Sequence, residues 1–259
     1  MSNYEEAEGI RRSDLWYISK SPRHFKWHMD HKGDEAPSKA LEFGILAHEA
    51  ILDPEAFIKK YIGVPKINRR SIDGRESYEK LIKWCDEIHK VPIYEGDLKT
   101  IAAMMYAIEL NKPAYALLRG EHEKEFYWND DLTGEPCKCK VDCLTEYEGK
   151  KYIVDYKTTD SCADGHFERS AMKYGYQFQA GMYSEGVFQN TFEEYGFAFV
   201  AQEKKAPYAT RVYICEPEWV KRGYDQFREL IGIYHDCKQT GNWYGYEGRD
   251  GIPVALMEV

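Results

Sequence analysis

Apolar residues recur every three or four positions through the first half of the chain and every second position from Glu121 onward, so helices are expected first and strands after them. Ser13 reads as the cap of a helix running to about Lys20, and Ser21-Pro22 as the N-cap and first-turn proline of the next. Ser38 caps a third helix, in which Leu41, Gly44, Ile45, His48, Ile51 and Leu52 share helical spacing until Asp53-Pro54 interrupts. Two more helical patterns run from about Arg75 to Lys90 and from Asp97 to Asn111, and the polar, basic stretch Asn68 to Gly74 reads as a mobile loop.

Glu121 to Trp128, Cys137 to Thr145 and Lys151 to Lys157 alternate as three antiparallel strands, with turn signals at Asp130 to Gly134 and at Glu148-Gly149. Helical spacing returns from about Asp164 to Gln189. Strands fit Tyr195 to Glu203 and Ala209 to Cys215, and a last helix fits Pro217 to Gln239. This order predicts an α/β (α+β) chain with a mixed central sheet flanked by helices. No repeat or flexible linker divides it, so residues 1–259 are expected to form one domain. Its helical part would be 1–118, its sheet and helices 119–240, and its tail 241–259.

Of the 259 residues 43% are apolar, enough for a substantial core, yet no uncharged apolar run approaches the roughly 18 residues of a membrane span. The start, Met-Ser-Asn-Tyr-Glu-Glu, lacks the charged end and apolar stretch of a signal peptide, so the chain reads as soluble and cytoplasmic, with no membrane partner. Seven cysteines suit reduced thiols rather than a disulfide framework. The formal charge of −9 disfavours a general basic footprint for nucleic acid, but a count over the whole chain is blind to a local cationic cleft. Arg69, Arg70 and Arg75, with Lys66, are one candidate basic segment.

Alternation on the second strand puts Cys137, Cys139, Val141 and Cys143 on one face and Lys138, Lys140 and Asp142 on the other. The spacing C-x-C-x3-C fits neither zinc pairs nor ferredoxin runs, and the cysteines read as small core residues. On the third strand Asp155 and Lys157 share a face. If the two strands pair, Asp142 and Asp155 meet, and two such carboxylates need a cation between them. Glu123 shares a strand face with Glu125 and can add a third carboxylate, His48 lies on the apolar stripe of its helix, and Gln179 and Tyr183 sit four apart on one helix face. Taken singly, each has an ordinary explanation as a surface charge, a buried histidine or a packing residue.

In order along the chain, G-I-L-A-H (Gly44 to His48), Glu123, V-D (Val141-Asp142), D-Y-K (Asp155 to Lys157) and Q-A-G-M-Y (Gln179 to Tyr183) form a constellation. With them the chain resembles the RecB-like branch of the PD-(D/E)XK nuclease superfamily, and within it phage and prophage exonucleases of the RecE type. The similarity runs from about Ser13 to the end of the last helix and includes S-P-R-H-F at Ser21 to Phe25. Val141 departs from the proline frequent in the family signature. The resemblance implies a restriction-endonuclease-like core. Glu123, Asp142, Asp155 and the Tyr156 backbone carbonyl would hold one or two Mg²⁺ or Mn²⁺ ions, with His48 as a further ligand. Lys157 would orient or deprotonate the attacking water, and Gln179 and Tyr183 would position the DNA strand or hydrogen-bond around the metal site. The implied activity is exonucleolytic digestion of double-stranded DNA ends, 5′ to 3′, leaving 3′ tails for a single-strand annealing protein. By the same resemblance the chain would form a homo-oligomeric ring, trimer or tetramer. Two alternatives stay open at this point: a Cas4-like or structure-specific single-strand nuclease, and an inert scaffold that binds DNA or protein.

Overall fold

The computed structural model describes residues 4–33 and 38–248. The tail assigned to 241–259 therefore lies outside the described residues beyond Gly248.

The helical half comprises α1 (Arg12–Leu15), continued by a 3₁₀ turn over Trp16–Ser19, α2 (Pro22–Asp30), α3 (Lys39–Leu52) and α4 (Pro54–Lys60). Ser13 lies inside α1, whose N-cap Arg11 supplies no side-chain cap, so the expected cap at Ser13 does not form. Ser21 accepts the His24 N–H and Ser38 that of Leu41, as their positions before α2 and α3 predict. Asp53 ends α3 and caps α4 by accepting the Ala56 N–H at 2.9 Å, with Pro54 in the first turn, so one dipeptide stops a helix and starts another.

A small excursion follows. Strands β1 (Tyr61–Val64) and β2 (Val91–Tyr94) pair in parallel around α5 (Ile72–Glu87), an arrangement the four-residue strands were too short to announce. The stretch Asn68 to Gly74 is not simply loop: Ser71 caps α5 by accepting the Gly74 N–H at 3.1 Å, and the helix starts at Ile72. Helices α6 (Glu95–Leu110) and α7 (Lys112–Leu117) lead to the main sheet.

That sheet contains β3 (Glu121–Asn129), β4 (Pro136–Tyr147), β5 (Lys150–Thr159), β6 (Gly196–Glu203) and β7 (Thr210–Ile214), in spatial order β3-β4-β5-β6-β7. Within this five-stranded sheet β5 and β6 pair in parallel and the other neighbours antiparallel; α8 (His166–Lys173) and α9 (Tyr176–Thr191) join β5 to β6, and α10 (Pro217–Thr240) closes the fold. The helical spacing expected from Asp164 to Gln189 is divided at Gly175, whose φ of +65° lies outside the α-helical region.

Both faces of the sheet are covered. On β6, Phe197, Phe199 and Ala201 face a core shared with α9 and α10, while Ala198 and Val200 face a second core with Leu52, Ile108 and Leu117 from α3, α6 and α7. The continuous apolar run Phe197 to Ala201 is what a strand buried on both sides requires. Gly181 of α9 and Gly223 of α10 permit a close helix crossing: a Cβ on Gly181 would lie 2.0 Å from the Tyr224 nitrogen, and one on Gly223 would lie 1.8 Å from the Gln177 oxygen. The glycine of the Q-A-G-M-Y segment therefore serves packing and fixes how deeply Gln179 reaches toward the sheet. Among the described residues no helix is long and apolar enough to cross a membrane.

Candidate active site

The β4–β5 ladder runs from Tyr147↔Lys150 to Cys143↔Val154 and stops where Asp142 and Asp155 would pair. The Tyr156 N–H instead donates to Asp142 Oδ2 at 2.8 Å, so a carboxylate takes the place of a ladder carbonyl where the strands part. Strict alternation breaks at the same point. Cys137, Cys139 and Val141 enter the α9–α10 core, whereas Cys143 enters the core under α3 and α7, contrary to the expectation of one shared face. The cysteine trio cannot converge on a metal from opposite sides of a sheet, and burial pushes the Cys137 and Cys143 thiols up to about 12.

Glu123 of β3 lies opposite Asp142. Its neighbours pair in register, His122↔Cys143 and Lys124↔Val141, but Glu123 itself has a φ of +52° and is skipped. No residue is inserted, so this is a left-handed kink rather than a bulge, at a cost of about 1–2 kcal/mol for a non-glycine residue. The kink aims Glu123 at the cluster. Glu125 instead accepts the Tyr127 hydroxyl at 2.9 Å. From α3, His48 places Nε2 3.0 Å from Asp142 Oδ2 and Nδ1 3.6 Å from Glu123 Oε1, the latter too long for a hydrogen bond. Lys140 forms an ion pair with the other oxygen of Glu123.

Asp155 is 2% exposed and accepts a hydrogen bond from the Gln179 side-chain amide. Lys157 Nζ pairs with Asp155 Oδ2 at 2.6 Å, so the buried carboxylate meets Gln179 through one oxygen and an ammonium through the other. Burial raises the Asp155 carboxyl to about 6, and repulsion from Asp142 adds to the rise against the opposing pull of Lys157 and His48. Burial would also raise Asp142, but His48, Lys157 and the Tyr156 N–H hold it below the usual carboxylate range. Burial opposes charge on His48 and Lys157 as well. Asp142 and Glu123 nevertheless raise the imidazole, and Asp155 and Asp142 raise the ammonium.

His48, Glu123, Asp142, Lys157 and Gln179 line a cleft of about 830 Å³ whose cations are Arg12, Lys60, Lys140 and Lys157. A chain of net charge −9 thus brings cations and carboxylates together in one cleft, where Lys60 pairs with Glu49 and Lys140 with Glu123, while Lys66, Arg69, Arg70 and Arg75 are absent from the cleft lining. One ligand atom from each of His48, Glu123 and Asp142 lies within 4.8 Å of the others. The nitrogen and oxygen donors and the depressed pKa of Asp142 together fit a hard divalent cation.

Residues 12–249 match the model of DUF3799, a PDDEXK-like domain of unknown function. The chain belongs to this PDDEXK-like family. Its fold is that of a crystal structure named "Putative exonuclease" from Eubacterium rectale, at 16% identity and a TM-score of 0.62, covering 100% of this chain and 93% of that one. A second structure, SSO0001, is 14% identical and covers 76% of this chain and 87% of that one, with a TM-score of only 0.33. No curated protein matches.

Within this PDDEXK-like chain the structure brings together His48, Glu123, Asp142, Asp155, Lys157 and Gln179 from α3, β3, β4, β5 and α9. Tyr183 is different: it packs against the α9–α10 core and is not among the cleft-lining residues, though it lies close enough to Asp155 and Asp142 to feel their charge. The Tyr156 ring also turns away, into the other core, where its hydroxyl donates to the buried Gln202 at 2.7 Å. Arg12, Lys60, Tyr174 and Tyr176 line the cleft without having been singled out from the sequence. Lys140 had a signal, since it alternates with Asp142 in K-x-D; Arg12 had none, because a fold-level contact brings it to the cleft.

Proposed function

We propose that the chain is a metal-dependent exodeoxyribonuclease that hydrolyses phosphodiester bonds from double-stranded DNA ends, 5′ to 3′, and leaves 3′ single-stranded tails. The convergence of His48, Glu123 and Asp142 beside the Asp155–Lys157 pair carries this reading. His48, Glu123, Asp142, Asp155 and the Tyr156 carbonyl would hold Mg²⁺ or Mn²⁺. A bound divalent ion there supplies a lowered water pKa and stabilises charge on the phosphate and the leaving oxygen.

The protein's own groups have separable tasks. His48 and the Tyr156 N–H keep Asp142 ionised and fixed between the strands. Gln179 orients Asp155 by donating to one of its oxygens. Lys157, held charged by Asp155 and Asp142, is placed to orient the attacking water and to offset negative charge on the phosphate. Lys60 and Lys140 line the cleft paired with Glu49 and Glu123, and would meet a phosphate by exchanging those carboxylates for it. A single-strand annealing protein as recipient of the tail and a ring of three or four copies around the duplex belong to the same proposal.

The test is a linear duplex labelled at one 5′ end or at one 3′ end, incubated with Mg²⁺ beside a covalently closed circle. The expected result is early release of the 5′ label, late release of the 3′ label and an intact circle. Equal cutting of circular and linear DNA would overturn the requirement for an end, and early 3′ release would overturn the polarity.

A further inference from the structure

Tyr174 stands at the mouth of the cleft, 49% exposed, beside residues of the cluster but outside it. Its ring stacks on Tyr176 with centroids 6.1 Å apart and planes 29° from parallel. Tyr176 in turn rests on Phe199 of the core, with centroids 5.4 Å apart, and carries the Lys157 ammonium 5.1 Å from its centroid. An aromatic surface thus runs from the buried sheet past Lys157 to the open cleft.

The backbone under this surface is clamped. Arg12 donates to the carbonyl oxygens of Tyr174 and Gly175, the latter at 2.8 Å. Gly175 is required twice: by its φ of +65°, and by the Trp16 ring, which would lie 2.6 Å from a Cβ there. Lys173 holds its ammonium 5.2 Å from the Tyr174 centroid, ready to exchange the ring for a phosphate. A lone exposed tyrosine needs no explanation. One held on a fixed corner, stacked toward Lys157 and flanked by cations, matches the chemistry of a nucleotide: a flat base and a charged backbone.

We infer that Tyr174 is a positioning residue on which a base of the strand under attack stacks, with Tyr176 linking that base to Lys157. The inference rests on the nuclease reading of the same cleft and adds recognition of the base face, tolerant of sequence because every base has one. It implies that the terminal nucleotides must leave the duplex to be seated.

The test places 2-aminopurine at each of the first four positions of the 5′-ended strand, with Ca²⁺ replacing Mg²⁺ so that binding is read without cleavage. The wild type should quench fluorescence at one position, Tyr174→Ala should lose that quenching, and Tyr174→Phe should keep it. With Mg²⁺, Tyr174→Ala should lower kcat/KM about 5- to 100-fold on intact DNA and not at all on DNA abasic at the quenched position. Quenching unchanged in Tyr174→Ala, or an equal loss on abasic DNA, overturns the inference while leaving the nuclease intact. Absence of metal-dependent binding and cutting by the wild type overturns both.

Discussion

The backbone N–H of Tyr156 donates to the side chain of Asp142 across the gap between β5 and β4 at 2.8 Å. A peptide group that would ordinarily continue the ladder is spent on a carboxylate, and the strands part to make the site. The same carboxylate takes His48 from the opposite helix, so Asp142 ties α3 to the sheet.

Because His48 is both a candidate ligand and the contact that fixes Asp142, His48→Ala should weaken Mn²⁺ binding about 10- to 100-fold and lower turnover at saturating metal. Calorimetric titration measures the first and initial rates the second. Mn²⁺ affinity within a factor of two of wild type would remove His48 from the ligand set.

Glu123 and Glu125 separate the site from its surroundings. Glu123→Gln should abolish metal-dependent digestion, whereas Glu125→Gln, whose carboxylate meets Tyr127 instead, should retain most of it. Rates of nucleotide release from the two variants decide the assignment, and the opposite order would move the upstream ligand to Glu125.

Proton competition should set the acid limb. With Asp155 raised to about 6 by burial, and His48 raised above its ordinary value by Asp142 and Glu123, both groups hold protons that a cation must displace. Affinity should therefore fall as pH drops from about 7 to 5, with a slope approaching two protons per ion. In the metal-free protein a raised carboxyl pKa carries the matching sign: Asp155 contributes stability below its unfolded pKa, and that contribution is lost as pH rises through about 6. Mn²⁺ titrations at a series of pH values measure the slope, and a flat profile would contradict it.

Gly181→Ala should destabilise the fold by at least about 1–3 kcal/mol, because the new methyl meets the α10 backbone rather than a movable side chain. Activity should fall further than the folded fraction, since separating α9 from α10 withdraws Gln179 from Asp155. Thermal melting and activity per folded molecule measure the two effects.

Period-two alternation locates β3 to β5, and Ser21, Ser38 and Asp53-Pro54 locate helix boundaries, because these signals are local. Cys143 leaves the face that alternation gives it because alternation assumes an unbroken pleat, and the strand departs from it at Asp142. Glu123 was legible as an acid on the right strand, but its left-handed kink is a tertiary strain that no residue pattern encodes. Lys66 to Arg75 is a dense run of charge and therefore visible in the sequence, whereas the cations that reach the cleft come singly from α1, α4, β4 and β5. A short parallel pair such as β1–β2 carries too few residues for either period to register.

Release of acid-soluble nucleotide from linear duplex DNA, with Mg²⁺ or with EDTA, by the wild type, Asp155→Ala and Lys157→Ala bears most directly on the whole account. Digestion by the wild type with Mg²⁺ alone, and loss of about 100-fold or more in each variant, is the expected result. Digestion undiminished in both variants, or none by the wild type with Mg²⁺ or Mn²⁺, would contradict it.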